Sequence, residues 1–209
     1  MHLRLHHNAH SSASYRVRIA LALKGLAWES VPVDLTRDGG EQYSPAFRAL
    51  NPQSRVPTLE ADGLVITQSI AILEWLDETF PAMPLLPKDA AGRARVRSLC
   101  QLIAADIQPL QNLSVANHVS QALGHGDDGA LAWRVHWISR GLSALEARLS
   151  TEPATGRSCQ GEAPTLADCC LVPQCYAARR FGVDVDAFRV IARIEAACLA
   201  LPAVAAAGP

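Results

Sequence analysis

Ser11-Ser12-Ala13-Ser14-Tyr15-Arg16-Val17-Arg18-Ile19-Ala20-Leu21 is the stretch on which the fold turns. It gathers hydroxyls where a helix begins. Val17, Ala20 and Leu21 share one face at the i, i+3, i+4 spacing and Gly25 is a good C-terminal stop, so a helix is expected from about Ser12 to Lys24. The free N–H groups of its first turn can hold an anion or a thiolate. Leu3 and Leu5 begin a short strand before it, and Val31, Val33 and Leu35 alternate as a strand after it.

Two further stretches work with the first. Asn51-Pro52-Gln53-Ser54-Arg55-Val56-Pro57-Thr58-Leu59 sets a proline at the start of a strand, where a backbone edge is left open. Asp62-Gly63 between Thr58–Glu60 and Leu64–Ile66 is a two-residue hairpin signal. Gln68-Ser69-Ile70-Ala71-Ile72-Leu73-Glu74-Trp75-Leu76 then opens a helix with an amide and a hydroxyl, Ser69 capping it, and the helix runs to about Thr79 before Pro81. The order β-α-β-(irregular)-β-β-α is that of a thioredoxin-like α/β domain, a mixed sheet with helices on both faces.

Pro81, Pro84 and Pro87 mark a stiff linker. Beyond it the pattern is all helical: Arg93 to about Leu123 with a kink or break at Pro109, Ala130 to Leu149, Cys169 to Phe181, and Ala187 to Leu201. Gly124–Gly129 and Thr151–Pro164 read as loops. Thr165-Leu166-Ala167-Asp168 has capping-box spacing with Asp in place of Glu. The alanine-rich tail from Ala203 is expected to fray. The domains are therefore drawn at 1–80, with a linker over 81–89 and an all-α domain over 90–209.

Charge and composition narrow the function. A formal net charge of −1 and a pI near 6.6 give no electrostatic case for nucleic acid or an anionic membrane. No apolar run approaches the roughly 20 residues of a membrane span, and Met1–His7 lacks the apolar core of a signal peptide. A cytoplasmic protein is the simplest reading. Six cysteines without a Cys-x-x-Cys read as reduced, mostly buried side chains. His6, His7 and His10 can be written as a metal cluster, but no carboxylate or thiolate stands near them in sequence, and no metal is expected.

Taken in order, the three quoted stretches resemble the glutathione-binding half of the zeta-class glutathione transferases, which include the maleylacetoacetate isomerases. Gln108-Pro109-Leu110-Gln111-Asn112-Leu113-Ser114 and Val172-Pro173-Gln174 with Ala178-Arg179-Arg180-Phe181 extend the resemblance over nearly the whole chain. It implies a glutathione transferase fold, a homodimer, and glutathione as cofactor. It also implies a small carboxylate substrate: a maleyl keto acid of aromatic catabolism, either maleylacetoacetate or maleylpyruvate. Alternatives are a zeta-type transferase acting on α-haloacids and, in another class, a non-catalytic interaction module. Such a module would lose the thiolate serine or the Gln68-Ser69 pair, and this chain keeps both.

The resemblance also assigns residues. The thiolate partner maps to Ser11 or Ser12, either of which could instead merely cap the helix. Val56, before a proline that is cis throughout the superfamily (Pro57), pairs its backbone with the cysteinyl part of glutathione. Gln68 and Ser69 hold the γ-glutamyl carboxylate. Gln42, Gln108, Asn112 and Ser114 match further glutathione contacts. Amides and a hydroxyl in an apolar helical stretch should face water or a ligand, since burying them unpaired costs free energy. Arg180 matches the arginine that binds substrate carboxylate, a task suited to a guanidinium, while Arg179 could be a solvated charge. The family's cysteine after the serine pair is Ala13 here, which removes any covalent role for that position. The family's arginine before the pair is His10, a substrate-binding candidate whose charge depends on pH.

Overall fold

The computed structural model describes all 209 residues, Met1–Pro209, and divides them into two compact units: Met1–Leu85 together with Pro202–Pro209, and Leu86–Leu201.

In the first unit, β1 (Leu3–His7) buries Leu3, Leu5 and His7 in strict alternation. It pairs in parallel with β2 (Glu29–Pro32) and antiparallel with β3 (Thr58–Ala61), which pairs antiparallel with β4 (Leu64–Thr67), so the sheet order is β2-β1-β3-β4. The parallel pair needs a crossover, and α1 (Ser12–Leu23) supplies it. Its stop at Gly25 (φ +64°) is the expected one, with the Leu26 N–H closing on the Leu21 carbonyl. The Asp62-Gly63 turn forms as expected, both residues having positive φ. Between β2 and β3 the irregular stretch contains a short helix, α2 (Pro45–Leu50), started by Ser44. The helix α3 (Ser69–Thr79) follows β4. Val17, Ile19, Leu21, Leu59, Ile72 and Leu76 form the core.

Three expectations for this unit are corrected. The second strand is Glu29–Pro32, so Val33 and Leu35 lie beyond it. Val33 makes one further bond to the His7 carbonyl, and then the Asp34 carboxylate draws the amides of Thr36 and Arg37 into a turn. The tail does not fray: Pro202 opens α10 (Pro202–Ala206), Val204 is buried, and Arg18 Nε holds the Ala207 carbonyl at 2.9 Å. The tail thus belongs to the first unit, and the helical region ends at Leu201 rather than at 209. The linker expected over 81–89 is split between the units at Leu85 and Leu86. Its first half is pinned by Lys24, whose buried ammonium reaches Asp77 (2.7 Å) and the carbonyls of Phe80 and Met83, while Asp77 takes the Leu85 N–H.

The second unit is helical. Asp89 caps α4 (Ala90–Gln101), which widens into a π turn over Leu102–Ile107 before α5 (Gln108–Gln111) and α6 (Leu113–Asn117). The helix ends at Asn112, which is extended (ψ 152°), while Pro109 follows directly on the π turn, the distortion of the helix expected there. A second π turn over His118–Ala122 precedes α7 (Gly126–Thr151). That helix begins inside the expected loop because Asp127 and Asp128 suit a helix N-terminus. Gly141 lets α7 approach the wide turn, for a Cβ there would collide with Ile107.

The last two helices of this unit are α8 (Leu166–Arg180) and α9 (Arg189–Leu199). The box at Thr165–Asp168 forms: Asp168 accepts from the Thr165 N–H and hydroxyl, and also from the Cys159 N–H. All six cysteines are buried, and none is joined in a disulfide. Burial pushes the Cys159 and Cys175 thiols well up, which makes them inert hydrophobes.

Candidate functional site

The parallel β1–α1–β2 crossover delivers the start of α1 to the end of β1. Ser11 caps α1, its Oγ accepting from the Ser14 N–H at 3.2 Å, so the capping role is real. The cap uses a lone pair and leaves the hydroxyl proton to donate. Ser12 is the first helical residue and is buried. The first helical bond runs from the Tyr15 N–H to the Ser11 carbonyl, so the N–H groups of Ser12 and Ala13 precede it and can meet an anion. Arg18 steadies this loop, with Nη1 and Nη2 donating to the carbonyls of Asn8 and Ala9 at 3.2 and 2.9 Å. His10, exposed on the same loop, gives its N–H to the Asn8 side chain.

His6 and His7 are occupied within the fold. His6 Nε2 lies 2.6 Å from Glu60, and His7 Nε2 2.8 Å from the Ser30 hydroxyl. Burial, then the charges of Arg18 and His6, lower His7 to about 4, so it is neutral at neutral pH.

At the same end of the sheet, where Thr58 of β3 pairs with His6 of β1, the Val56–Pro57 peptide is cis, and Val56 lies beyond the β3–β4 ladder, whose last pair is Thr58–Thr67. Ser69 is not the cap of α3. That position belongs to Gln68, which has φ +69° and no side-chain capping bond, while Ser69 is the first helical residue and only 6% exposed. Its Oγ accepts from Arg16 Nη1 at 3.0 Å. Gln68 is exposed and its amide donates to Gln53 at 2.7 Å. Gln42 is buried rather than solvated: its amide nitrogen donates to the Leu35 carbonyl, and its Oε1 has no partner.

Arg16 carried no assignment from sequence. It is 2% exposed, and its Nε and Nη2 have no hydrogen-bond partner, so its charge is buried with Ser69 as its single hydrogen-bonded contact. An anion beside Ser69 would be stabilised by that charge. The available signal was an arginine within an apolar helical run with no acidic residue in the same helix.

The second unit treats its expected residues unevenly. Asn112 caps α6, its Oδ1 accepting from the Ser114 N–H and hydroxyl at 3.1 and 3.2 Å, and Gln108, partly buried, opens α5. Gln111 does not face water or a ligand: it is 4% exposed and exchanges amide hydrogen bonds with Gln174 at 3.2 and 2.9 Å. Arg179 is exposed, as a solvated charge would be, and it also pairs with Glu195 at 2.7 Å and Asp186 at 2.8 Å. Arg180, exposed at the end of α8, lies over the Tyr176 ring at 5.6 Å.

A four-stranded mixed sheet, hydroxyls at the start of α1, a proline ahead of β3 and a serine opening α3 define a glutathione transferase. Residues 10–79 match the family described as glutathione S-transferase, N-terminal domain. Similarity continues through the helical region. The maleylacetoacetate isomerase of Pseudomonas aeruginosa is 48% identical over 200 residues, 95% of this chain and 92% of the relative. A holo maleylpyruvate isomerase, a bacterial zeta-class enzyme, superposes with a TM-score of 0.94 at 43% identity, covering 99% of this chain and 96% of that one. So does a maleylacetoacetate isomerase from Methylobacterium extorquens with bound malonate and glutathione, at 0.94, 44% identity and the same coverage. The chain belongs to the maleylacetoacetate and maleylpyruvate isomerase family of zeta-class glutathione transferases.

Proposed function

We propose that this chain is a glutathione-dependent cis–trans isomerase of a maleyl keto acid, maleylacetoacetate or maleylpyruvate, in the breakdown of aromatic compounds. The observation that carries the reading is the end-to-end similarity to isomerases of that name, at 43–48% identity in the relatives named above. The malonate and glutathione held by one of them suit a carboxylate substrate beside a thiol.

Glutathione is held by the first unit's residues: Ser69 and Gln68 at the γ-glutamyl carboxylate, the Val56 backbone at the cysteinyl group, Gln42 as a further contact, and Ser11 or Ser12 at the sulfur. From the second unit, Gln108, Asn112 and Ser114 are assigned to the same ligand on the family pattern. A thiol of ordinary pKa ~8.5 is a few per cent ionised at neutral pH. Lowering it by two units takes about 2.7 kcal/mol of thiolate stabilisation, within reach of a hydroxyl donor and a helix N-terminus.

The thiolate attacks the double-bond carbon that places negative charge on the conjugated ketone. A C–S bond forms and the π pair moves to the carbonyl oxygen as an enolate. The former double bond rotates, the enolate collapses, and the thiolate leaves with the C–S pair, giving the fumaryl product. Glutathione is returned unchanged. Helix amides and Arg180 supply positive charge to the enolate and carboxylate, with His10 a second carboxylate contact. The working form is proposed to be a homodimer on the family resemblance, and its location cytoplasmic, which cell fractionation checks.

The test is an ultraviolet assay of maleylacetoacetate and of maleylpyruvate with and without glutathione. Turnover of at least one substrate should require glutathione yet consume none. Stoichiometric loss of glutathione, or glutathione-independent turnover, refutes the isomerase reading.

A further inference from the structure

Arg134, in the first third of α7, is the unexplained group of the second unit. Its half-buried side chain reaches two segments that the family pattern already implicates. Nε donates to the Gln111 carbonyl at 3.1 Å, immediately before Asn112, and the guanidinium carbon lies 4.6 Å from the centre of the Phe181 ring, immediately after Arg180. Stacking on Phe181 occupies one face of the guanidinium, and Nη1 and Nη2 have no protein acceptor.

A structural arginine in the same unit looks different. Arg95 uses all three of its nitrogens, on Glu152, Thr155, the Cys159 carbonyl and Gln160. No carboxylate of the chain answers Arg134, and the neighbouring charge is instead positive. Burial, then repulsion from Arg180, lowers its hold on its proton. The like charge of Arg180, the residue before the ring that Arg134 lies on, costs free energy that a bound anion reverses. A stacked guanidinium with free edge donors is fixed in plane and suits a carboxylate better than a lysine would.

We propose that Arg134 is a second carboxylate-binding residue of the substrate site, forming with Arg180 a two-guanidinium clamp that selects dicarboxylates over monocarboxylates. The inference rests on the isomerase reading for the identity of the substrate, since maleyl keto acids carry a carboxylate at each end. Its geometry does not depend on that reading.

The experiment is calorimetric titration of the glutathione-saturated protein with succinate and with butyrate, a monocarboxylate of matching length, on wild type, Arg134→Gln, Arg134→Lys and Arg180→Gln. Succinate should bind wild type at least tenfold more tightly than butyrate. Arg134→Gln should weaken succinate about tenfold or more and butyrate less than twofold, leaving glutathione affinity unchanged. Arg134→Lys, which keeps the charge but loses the fork, should fall between, and Arg180→Gln should weaken both acids. Equal binding of the two acids by wild type, or an equal loss of both in Arg134→Gln, overturns the clamp. Should wild type fail to isomerise either maleyl substrate while keeping Arg134-dependent succinate binding, the isomerase reading falls and the clamp stands. Active wild type whose succinate binding ignores Arg134 refutes the clamp and leaves the isomerase reading intact.

Discussion

Ser69→Ala should injure both binding and folding, and the structure separates the two. A serine hydroxyl has one proton and two lone pairs. Arg16 Nη1 donates into one of those lone pairs at 3.0 Å, so the proton remains for the γ-glutamyl carboxylate. Deleting the oxygen removes a donor from a buried anion, worth ~1–3 kcal/mol, and should raise the glutathione Kd by roughly 5- to 150-fold. It also strips Arg16 of its single hydrogen bond, because Nε and Nη2 already lack partners. A hydrogen bond to a charged group is worth ~1.5–3 kcal/mol, which in a chain of this length lowers Tm by roughly 3–12 °C.

Calorimetric titration with glutathione reads the first effect and differential scanning of the ligand-free protein the second. Ser69→Thr, which keeps the hydroxyl, should recover most of both. An Ala variant with wild-type glutathione affinity refutes the placement of the γ-glutamyl group at Ser69. An Ala variant with wild-type Tm shows instead that the Arg16 bond contributes nothing to the fold.

The buried His7 should make the fold acid-sensitive. Its folded pKa of about 4 lies below the ordinary 6.5, so the unfolded chain takes the proton first, and stability present above pH 6.5 is lost as pH falls toward 4. From pH 7.5 to 5 the loss attributable to this group is about 2 kcal/mol. Urea titrations of wild type and His7→Gln should show a shallower pH slope in the variant, and parallel slopes would contradict the assignment. For assembly, light scattering at micromolar concentration should report about twice the 22.4 kDa chain mass, and a fully active monomer would exclude the homodimer.

Features that neighbouring residues decide among themselves are legible in the sequence. The Asp62-Gly63 turn, the Gly25 stop and the Thr165–Asp168 box each close within a few residues through backbone preference or a short side-chain bond, and each forms as expected. The loop hydroxyls before α1 were equally legible, since a helix start is a local event.

Tertiary structure decided the questions whose partners are distant in the chain. That the buried Ser69 hydroxyl receives a guanidinium depends on Arg16, 53 residues away. Gln111 buries its amide because Gln174, 63 residues on, satisfies it. Of two adjacent arginines, Arg179 is absorbed by Glu195 and Asp186, while Arg180 ends the helix beside the charge of Arg134. The tail that composition marked for fraying is held by Arg18, 189 residues earlier. Desolvation is the common reason: a polar group can be buried only where a partner waits, and the position of that partner is a property of the fold and not of the local sequence.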